Sequence, residues 1–212
     1  MTNQPFAGTA AQPYTVVQNI QFPIDVAFKK ISLTNQASVT DASGRTLFYV
    51  KQKMFKLKEA ISVFSDESQS KVLFHINANK VIDFSARYNF VDEGGRSVGS
   101  VQRHGARSLW KAHYDIFDGD TLEYSIHEES AFTRVMDAMF SEIPIIGMFA
   151  GYVFNPVYNV TQGEKPAFKV TKEPAMFESH FKVEKLGDID ADSQQRAILG
   201  IMMMMILERI RG

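Results

Sequence analysis

The chain has 212 residues and a formal net charge of −1, a balance that argues against a broad nucleic-acid-binding surface. It contains no cysteine, which excludes disulfides, thiolate catalysis and cysteine-ligated zinc and agrees with a reducing cytosol. Its first residues lack the basic and apolar regions of a signal peptide, so we expect a cytoplasmic protein, either free or peripheral at a membrane surface.

The chain divides into a short leader and one domain. Residues 1–23 are rich in Thr, Asn, Gln, Ala and Pro without a clear period, and we expect a flexible N-terminal leader. No linker or repeat divides residues 24–212, which are expected to form a single domain. From about Ala27 to His127, short alternating segments are separated by turn signals, a pattern typical of a sandwich or barrel. Further strands are predicted at Val157–Gln162, Phe168–Lys172 and Phe177–Leu186.

The sequence sets the register of one hairpin around Gly94 and Gly95. A Gly-Gly centre supplies the positive φ that a two-residue turn needs. This turn predicts that Phe90 lies opposite Gly99 and Val91 opposite Val98.

A second hairpin is predicted around Gly119. A three-residue loop, Gly119–Thr121, keeps apolar side chains on one face, whereas a two-residue loop mixes the faces. The longer loop predicts four cross-strand pairs: Ile116 with Tyr124, Tyr114 with Ile126, His113 with His127 and Lys111 with Glu129.

Residues 130–154 change character. Ser130 is a predicted cap for a helix over 130–141 with one apolar stripe. The run Ile143–Phe154 is apolar but broken by Pro and Gly, and it is too short to span a bilayer. We expect it to plug one mouth of a barrel, with contact to a membrane as the alternative.

The last segment predicts a helix that is apolar on every side. Ser193 or Asp192 is the expected N-cap, and Ala197–Leu207 carries no polar side chain. A helix apolar all round is buried or in a membrane, and this one is too short for a span. The methionines Met202–Met205 are therefore expected to fill a core.

Enclosing such a helix sets the size of the sheet around it. A layer packed about 10 Å from the helix axis has a circumference of roughly 60 Å. Tilted strands each occupy about 6 Å of it, so roughly ten to twelve close the ring. We expect a mainly β (α+β) fold, a closed antiparallel barrel of about twelve strands around the C-terminal helix.

Four segments carry a family likeness: Tyr49–Glu59, Arg103–Ser108, Gly151–Tyr158 and Leu207–Gly212. In this order they resemble the LURP-one-related family, which is grouped with tubby C-terminal domains and phospholipid scramblases. The resemblance implies a twelve-stranded, tubby-like barrel around a hydrophobic C-terminal helix. It implies little about activity, although tubby domains bind phosphoinositide head groups.

A basic strand is the candidate ligand site. Arg103, His104, Arg107 and Lys111 surround Gly105, which marks a bulge or bend. The arginine fork suits phosphate, so the sequence predicts a patch for anionic phospholipid or phosphoinositide at a membrane surface. The alternative for these residues is an ordinary solvated strand face. The alternative function is a protein-protein interaction or regulatory domain without lipid affinity.

Catalytic and metal sites are not expected. His113 and His127 offer two metal ligands, but catalytic zinc needs a third protein ligand and structural zinc a fourth. Asp188–Asp192 begins like a calcium-binding EF-hand loop yet lacks its glycine and its bidentate glutamate. The sequence contains no P-loop, Rossmann or Gly-x-Ser-x-Gly motif. It therefore predicts a non-enzymatic binding or scaffold module with no cofactor and no metal.

Overall fold

The computed structural model describes residues 16–29, 34–53, 61–79, 86–104, 112–129, 156–174 and 178–211. The predicted helix over 130–141 and the apolar run 143–154 lie outside these residues, as does Lys111 of the predicted Lys111–Glu129 pair.

Twelve strands of the described residues form a closed antiparallel barrel, and this prediction is confirmed. Each strand pairs with its neighbours in sequence, and the first strand closes the ring by pairing with the last. The strands are β1 Ile24–Lys29, β2 Thr34–Thr40, β3 Thr46–Lys53, β4 Ile61–Phe64, β5 Val72–Ala78, β6 Arg87–Asp92, β7 Ser97–Arg103, β8 His113–Asp118, β9 Thr121–Glu128, β10 Val157–Gln162, β11 Lys165–Glu173 and β12 Glu178–Lys185.

The helix α1, Ala191–Arg211, fills the barrel. Every residue from Ala197 to Ile206 is buried, and Met202–Met205 are at most 3% exposed, so their predicted role in the core is confirmed. The helix lies very close to β8 at Gly200, where a Cβ atom would stand 2.5 Å from Ile116 Cδ1. Glycine is therefore required at this contact for helix and strand to pack.

The predicted helix cap is wrong by two or three residues. Asp190, and neither Asp192 nor Ser193, is the N-cap, because its Oδ1 accepts hydrogen bonds from the backbone N–H groups of both later residues at 3.0 Å. Ser193 instead donates its hydroxyl to Glu123 of β9. The segment Asp188–Asp192 contains three aspartates whose side chains could each accept these hydrogen bonds, and only the backbone geometry decides which one does.

A buried arginine fixes the beginning of α1 inside the barrel. Arg196 donates Nε–H to the Val98 carbonyl at 2.9 Å, and its terminal nitrogens contact Glu123 at 2.5 Å and Asp192 at 2.9 Å. A Cβ atom on Gly99 would lie 2.6 Å from Arg196 Cδ, so glycine leaves the space that this side chain occupies. This role of Arg196 was not predicted from the sequence.

Two turns share the sequence Asp-x-x-Gly-Arg, at Asp41–Arg45 and Asp92–Arg96. In each, the buried aspartate accepts hydrogen bonds from the backbone N–H and the guanidinium of the arginine, and the glycine has a φ of +82°. The Ser43 hydroxyl also donates to Asp41 and holds the pKa of that carboxyl below its usual value.

This turn corrects the first predicted hairpin. Phe90 lies opposite Gly99 as predicted, but Val91 pairs with Ser97 rather than with Val98. Asp92 N–H donates to the Arg96 carbonyl, so the loop has three residues and the register shifts after Phe90. A type I turn followed by a left-handed glycine explains the longer loop.

The second hairpin has the predicted pairs but not the predicted loop. Ile116 faces Tyr124, Tyr114 faces Ile126 and His113 faces His127. Asp118 pairs directly with Thr121, so the loop has two residues and Gly119 has a φ of +56°. A bulge at Glu123 restores the register and brings this residue to the start of α1, where it contacts Arg196.

Residues 16–23, assigned to the leader from the sequence, pack against the domain in the structure. Val16 and Val17 donate their backbone N–H groups to Gln195 Oε1 of α1, at 2.8 and 3.2 Å. Ile20 and Phe22 contact the core. Residues 1–15 lie outside the described part of the chain.

The barrel has two ends, which we name by residues of α1 or its cap. At the Asp190 end α1 begins, and tight turns join β2 to β3, β4 to β5, β6 to β7, β8 to β9 and β10 to β11. At the Glu208 end α1 finishes beside the end of β7 and the end of β1, where Arg209 donates to the Lys29 carbonyl. Within the described ranges, no helix has the length and hydropathy needed to cross a bilayer.

Replacing Ile201 with Asp should destabilise the protein severely. Ile201 is fully buried in the barrel, and an unpaired carboxylate there has neither water nor a partner. We expect the free energy of unfolding to fall by about 3–5 kcal/mol, measured by urea denaturation followed by circular dichroism.

The matched control is Leu186→Asp, which adds the same charge at a leucine that is 54% exposed. It should change stability by no more than about 0.5 kcal/mol. Equal urea midpoints for the two variants would show that the barrel does not enclose the helix.

Candidate functional site

Two adjacent members of the predicted basic patch, Arg103 and His104, lie on opposite faces of the barrel. Arg103 is 5% exposed and points inward, whereas the side chain of the next residue, His104, is 52% exposed. Consecutive residues of a strand face opposite sides, so these two cannot form one surface. Arg107 and Lys111 lie outside the described residues.

Arg103 belongs to a group at the Glu208 end of the barrel interior. Its Nε lies 3.4 Å from Glu208 Oε1, and its guanidinium is 5.8 Å from the centre of the Tyr114 ring. Tyr114 donates its hydroxyl to the same carboxylate at 2.5 Å. Burial, and then the hydrogen bond to Glu208, raise the pKa of Tyr114 far above its usual value. These contacts make Arg103 part of the structure that holds the end of α1, and not a surface ligand.

His104 is instead part of a histidine cluster on the outer face. His104 follows β7, His113 begins β8 and His127 lies on β9, so three adjacent strands each supply one ring. The His104 and His113 rings stack with centroids 4.0 Å apart, and His113 and His127 are 4.1 Å apart. The His104 backbone N–H donates to the His113 carbonyl, which holds the first two strands in register.

Asp115 lies next to these rings and is nearly buried. It is two residues from His113 on β8, so both side chains project from the same face. Its side chain is 10% exposed and contacts His104 Nε2, while His113 Nε2 lies 3.6 Å from its Oδ1. Ser125 donates its hydroxyl to Oδ1 at 2.7 Å and fixes the carboxylate.

The sequence identified only part of this cluster. The β8–β9 register predicted the His113–His127 pair, which is confirmed. His104 and Asp115 were not connected with it, because the β7–β8 pairing joins residues on either side of 105–111 and no turn signal fixes that register. The Asp115–Ser125 contact follows from the predicted register, one step along the strands from Tyr114 and Ile126.

The cluster offers imidazole nitrogens and one desolvated carboxylate on an open surface. Two depressions of about 200 and 230 Å³ lie elsewhere, one next to Lys29 and Glu67 and the other next to Arg45 and Lys71. Neither is lined by a histidine. The cluster is therefore suited to bind a cation or an anion at the surface, rather than to enclose a substrate in a cavity.

The position of His113 predicts a pH-dependent stability. Burial, followed by the charges of His127 and His104, lowers the pKa of His113 from 6.5, while Asp115 acts in the opposite direction. The folded protein then binds this proton less tightly than the unfolded chain. The contribution of His113 to stability is fully present above pH 6.5 and is lost as the pH falls from 6.5 through the pKa of His113 in the folded protein. In a two-dimensional imidazole NMR titration, His113 should titrate below 6.5, and His113→Gln should lose less stability than the natural chain between pH 7.5 and 5.5.

His75→Gln on β5, remote from the cluster, is the control and should follow the natural chain. A His113 midpoint at or above 6.5 would contradict the expected effect of burial.

One comparison with known proteins agrees with the family suggested by the sequence. The family model described as LURP-one-related matches residues 46–142, a region that contains β3 to β9 and the histidine cluster. A solved structure of a protein from Arabidopsis thaliana aligns with 14% identity and a TM-score of 0.44, covering 91% of this chain and 94% of that chain. No curated protein sequence matches the chain. The predicted resemblance is confirmed by this match, because residues 46–142 fit the family model described as LURP-one-related.

Proposed function

We propose that the chain is a non-enzymatic binding module that docks, through the Glu208 end of its barrel, on a membrane surface rich in anionic phospholipid. The observation that supports this is the contrast in composition between the stretches that join the strands at the two ends. Family membership and the barrel fold suit a binding module, and α1 fills the barrel interior, so a ligand would meet the outside.

The Asp190 end is polar and acidic. The segments between the strands there, including the one that leads into α1, are 41–45, 65–71, 93–96, 119–120, 163–164 and 186–190. They contain eight acidic residues and three basic ones, and only Ala42, Leu186 and Ile189 are apolar. Anionic head groups would repel such a surface.

The Glu208 end has the opposite composition. The strand ends found there flank, in the sequence, the stretches 30–33, 54–60, 80–85, 105–111, 130–155 and 175–177. These stretches are mainly apolar, with aromatic residues that include Trp110. They contain seven basic residues, Lys30, Lys56, Lys58, Lys80, Arg107, Lys111 and Arg134, and four acidic ones, Glu59, Asp83, Asp137 and Glu142. Glu129, which also lies between β9 and β10, is a fifth acidic residue in these connections.

Apolar side chains mixed with Lys and Arg are the composition of surfaces that bind at the membrane interface. The apolar groups enter the head-group region, and each basic residue near an anionic leaflet contributes about 1 kcal/mol. Arg107 and Lys111 remain the proposed phosphate contacts from the sequence, and exposed His104 lies at the same end. Arg103 is left out because it is buried against Glu208. This proposal places the protein in the cytoplasm, peripheral at a membrane.

The test is co-sedimentation of the full chain with vesicles of phosphatidylcholine alone, with added phosphatidylserine, or with added phosphoinositide. Binding should require the anionic lipid and weaken as salt rises, because exposed charges are screened over about 8–10 Å near physiological ionic strength. Replacing Arg107 and Lys111 together with Ser should reduce vesicle affinity about 30-fold, at about 1 kcal/mol for each charge.

The matched control replaces Lys71 and Lys165 with Ser, which removes the same charge from the Asp190 end. This control should bind vesicles as the natural chain does. Absence of vesicle binding at low salt would reject the lipid proposal and favour the alternative, a protein-protein interaction or regulatory domain without lipid affinity.

A further inference from the structure

We propose that His104, His113 and Asp115 form a binding site for a divalent transition metal of the zinc type. This proposal does not require lipid binding, although His104 also lies at the end proposed to dock on a membrane. Its three ligands are described residues on the outer face of β7, β8 and β9.

The three side chains already converge. One possible ligand atom from each lies within 4.8 Å of the other two. Ligands at 2.0–2.2 Å from a tetrahedral metal are about 3.3–3.6 Å apart. His113 Nε2 and Asp115 Oδ1 already have this spacing, at 3.6 Å, so rotation of the histidine side chains is enough to complete the arrangement. His104, at 52% side-chain exposure, and His113, at 30%, have room for such a rotation.

The backbone holds the ligands in a fixed arrangement. His113 and Asp115 are two residues apart on one strand, and the His104 N–H is hydrogen-bonded to the His113 carbonyl. Two ligands from one strand and one from its neighbour form a rigid base, which reduces the entropy lost when a metal binds.

Asp115 has the surroundings of a metal ligand rather than of a surface carboxylate. The whole residue is only 7% exposed. Its Oδ1 accepts a hydrogen bond from the Ser125 hydroxyl at 2.7 Å, while its Oδ2 faces His104. A hydrogen bond to a ligating carboxylate orients it and adjusts its basicity, and such partners commonly affect metal affinity. Ser125 is therefore the positioning residue of this site.

The donor set selects the class of metal. Two imidazole nitrogens and one carboxylate oxygen suit zinc, and they also suit ferrous iron or cobalt with open positions. Calcium and magnesium prefer a shell of oxygen ligands and fit poorly. Three protein ligands leave at least one coordination position for water or for an external donor.

The experiment uses the full, untagged chain after treatment with a chelator. Titration with Zn²⁺ at pH 7.5, by calorimetry or by competition with a chromophoric chelator, should show one ion per chain. His104→Ala and His113→Ala should each reduce affinity by at least about 10-fold. Ser125→Ala, which leaves all three ligands in place, should reduce it by about 10- to 100-fold. Excess Mg²⁺ should not displace the metal.

His75→Ala on β5 is the control and should bind Zn²⁺ as the natural chain does. Co²⁺ bound to the natural chain should broaden or shift the imidazole NMR signals of His104, His113 and the adjacent His127 more strongly than that of His75, a measurement that remains valid if a variant fails to fold. Absence of stoichiometric Zn²⁺ binding, or unchanged affinity in the His104→Ala, His113→Ala double variant, would overturn the proposal.

Discussion

The constraint on which this structure depends is the burial of a helix that is apolar on every side. Residues Ala197–Ile206 have no face that tolerates water, so the sheet must surround them completely. An antiparallel sheet that closes on itself does this and also removes its own edges. Close packing then sets local detail, such as Gly200 against Ile116, where even one methyl group does not fit.

The polar ends of α1 determine how it lies in the barrel. Arg196 meets Glu123 and the Val98 carbonyl at one end, and Glu208 meets Arg103 and the Tyr114 hydroxyl at the other. A buried charge without a partner is costly, so these groups oppose sliding or rotation of the helix. The apolar middle supplies the driving force for burial, while the charged ends supply the register.

Much of the fold could be predicted because it follows from one-dimensional patterns. The apolar helix required a closed sheet, and alternation of side chains fixed His113 opposite His127. The predicted lengths of the two hairpin loops were wrong, because a bulge changes a loop by one residue while leaving the distant register intact. Glu123 shows this well, since a residue that breaks the alternation is the one that contacts Arg196.

The candidate site was harder to predict, because its residues depend on contacts between strands. The sequence grouped Arg103 with His104 by adjacency, yet adjacent strand residues face opposite sides of the sheet. His104 meets Asp115 only through the β7–β8 pairing, and no pattern within 105–111 fixes that register. Adjacency in the sequence therefore suggested Arg103 as the neighbour of His104 on the surface, whereas strand pairing shows that this neighbour is Asp115.

The position of α1 after all twelve strands has a consequence for biosynthesis. Ribosomes release the N-terminal residues first, so the barrel strands leave before the helix that fills them. The inward-facing residues, such as Phe48, Phe74 and Phe90, have no helix to pack against until α1 emerges. β1 likewise lacks its β12 partner for most of synthesis. The strands of the nascent chain therefore expose apolar side chains until α1 has been synthesised, and a chain that stops before Ala191 would lack the helix that fills the barrel.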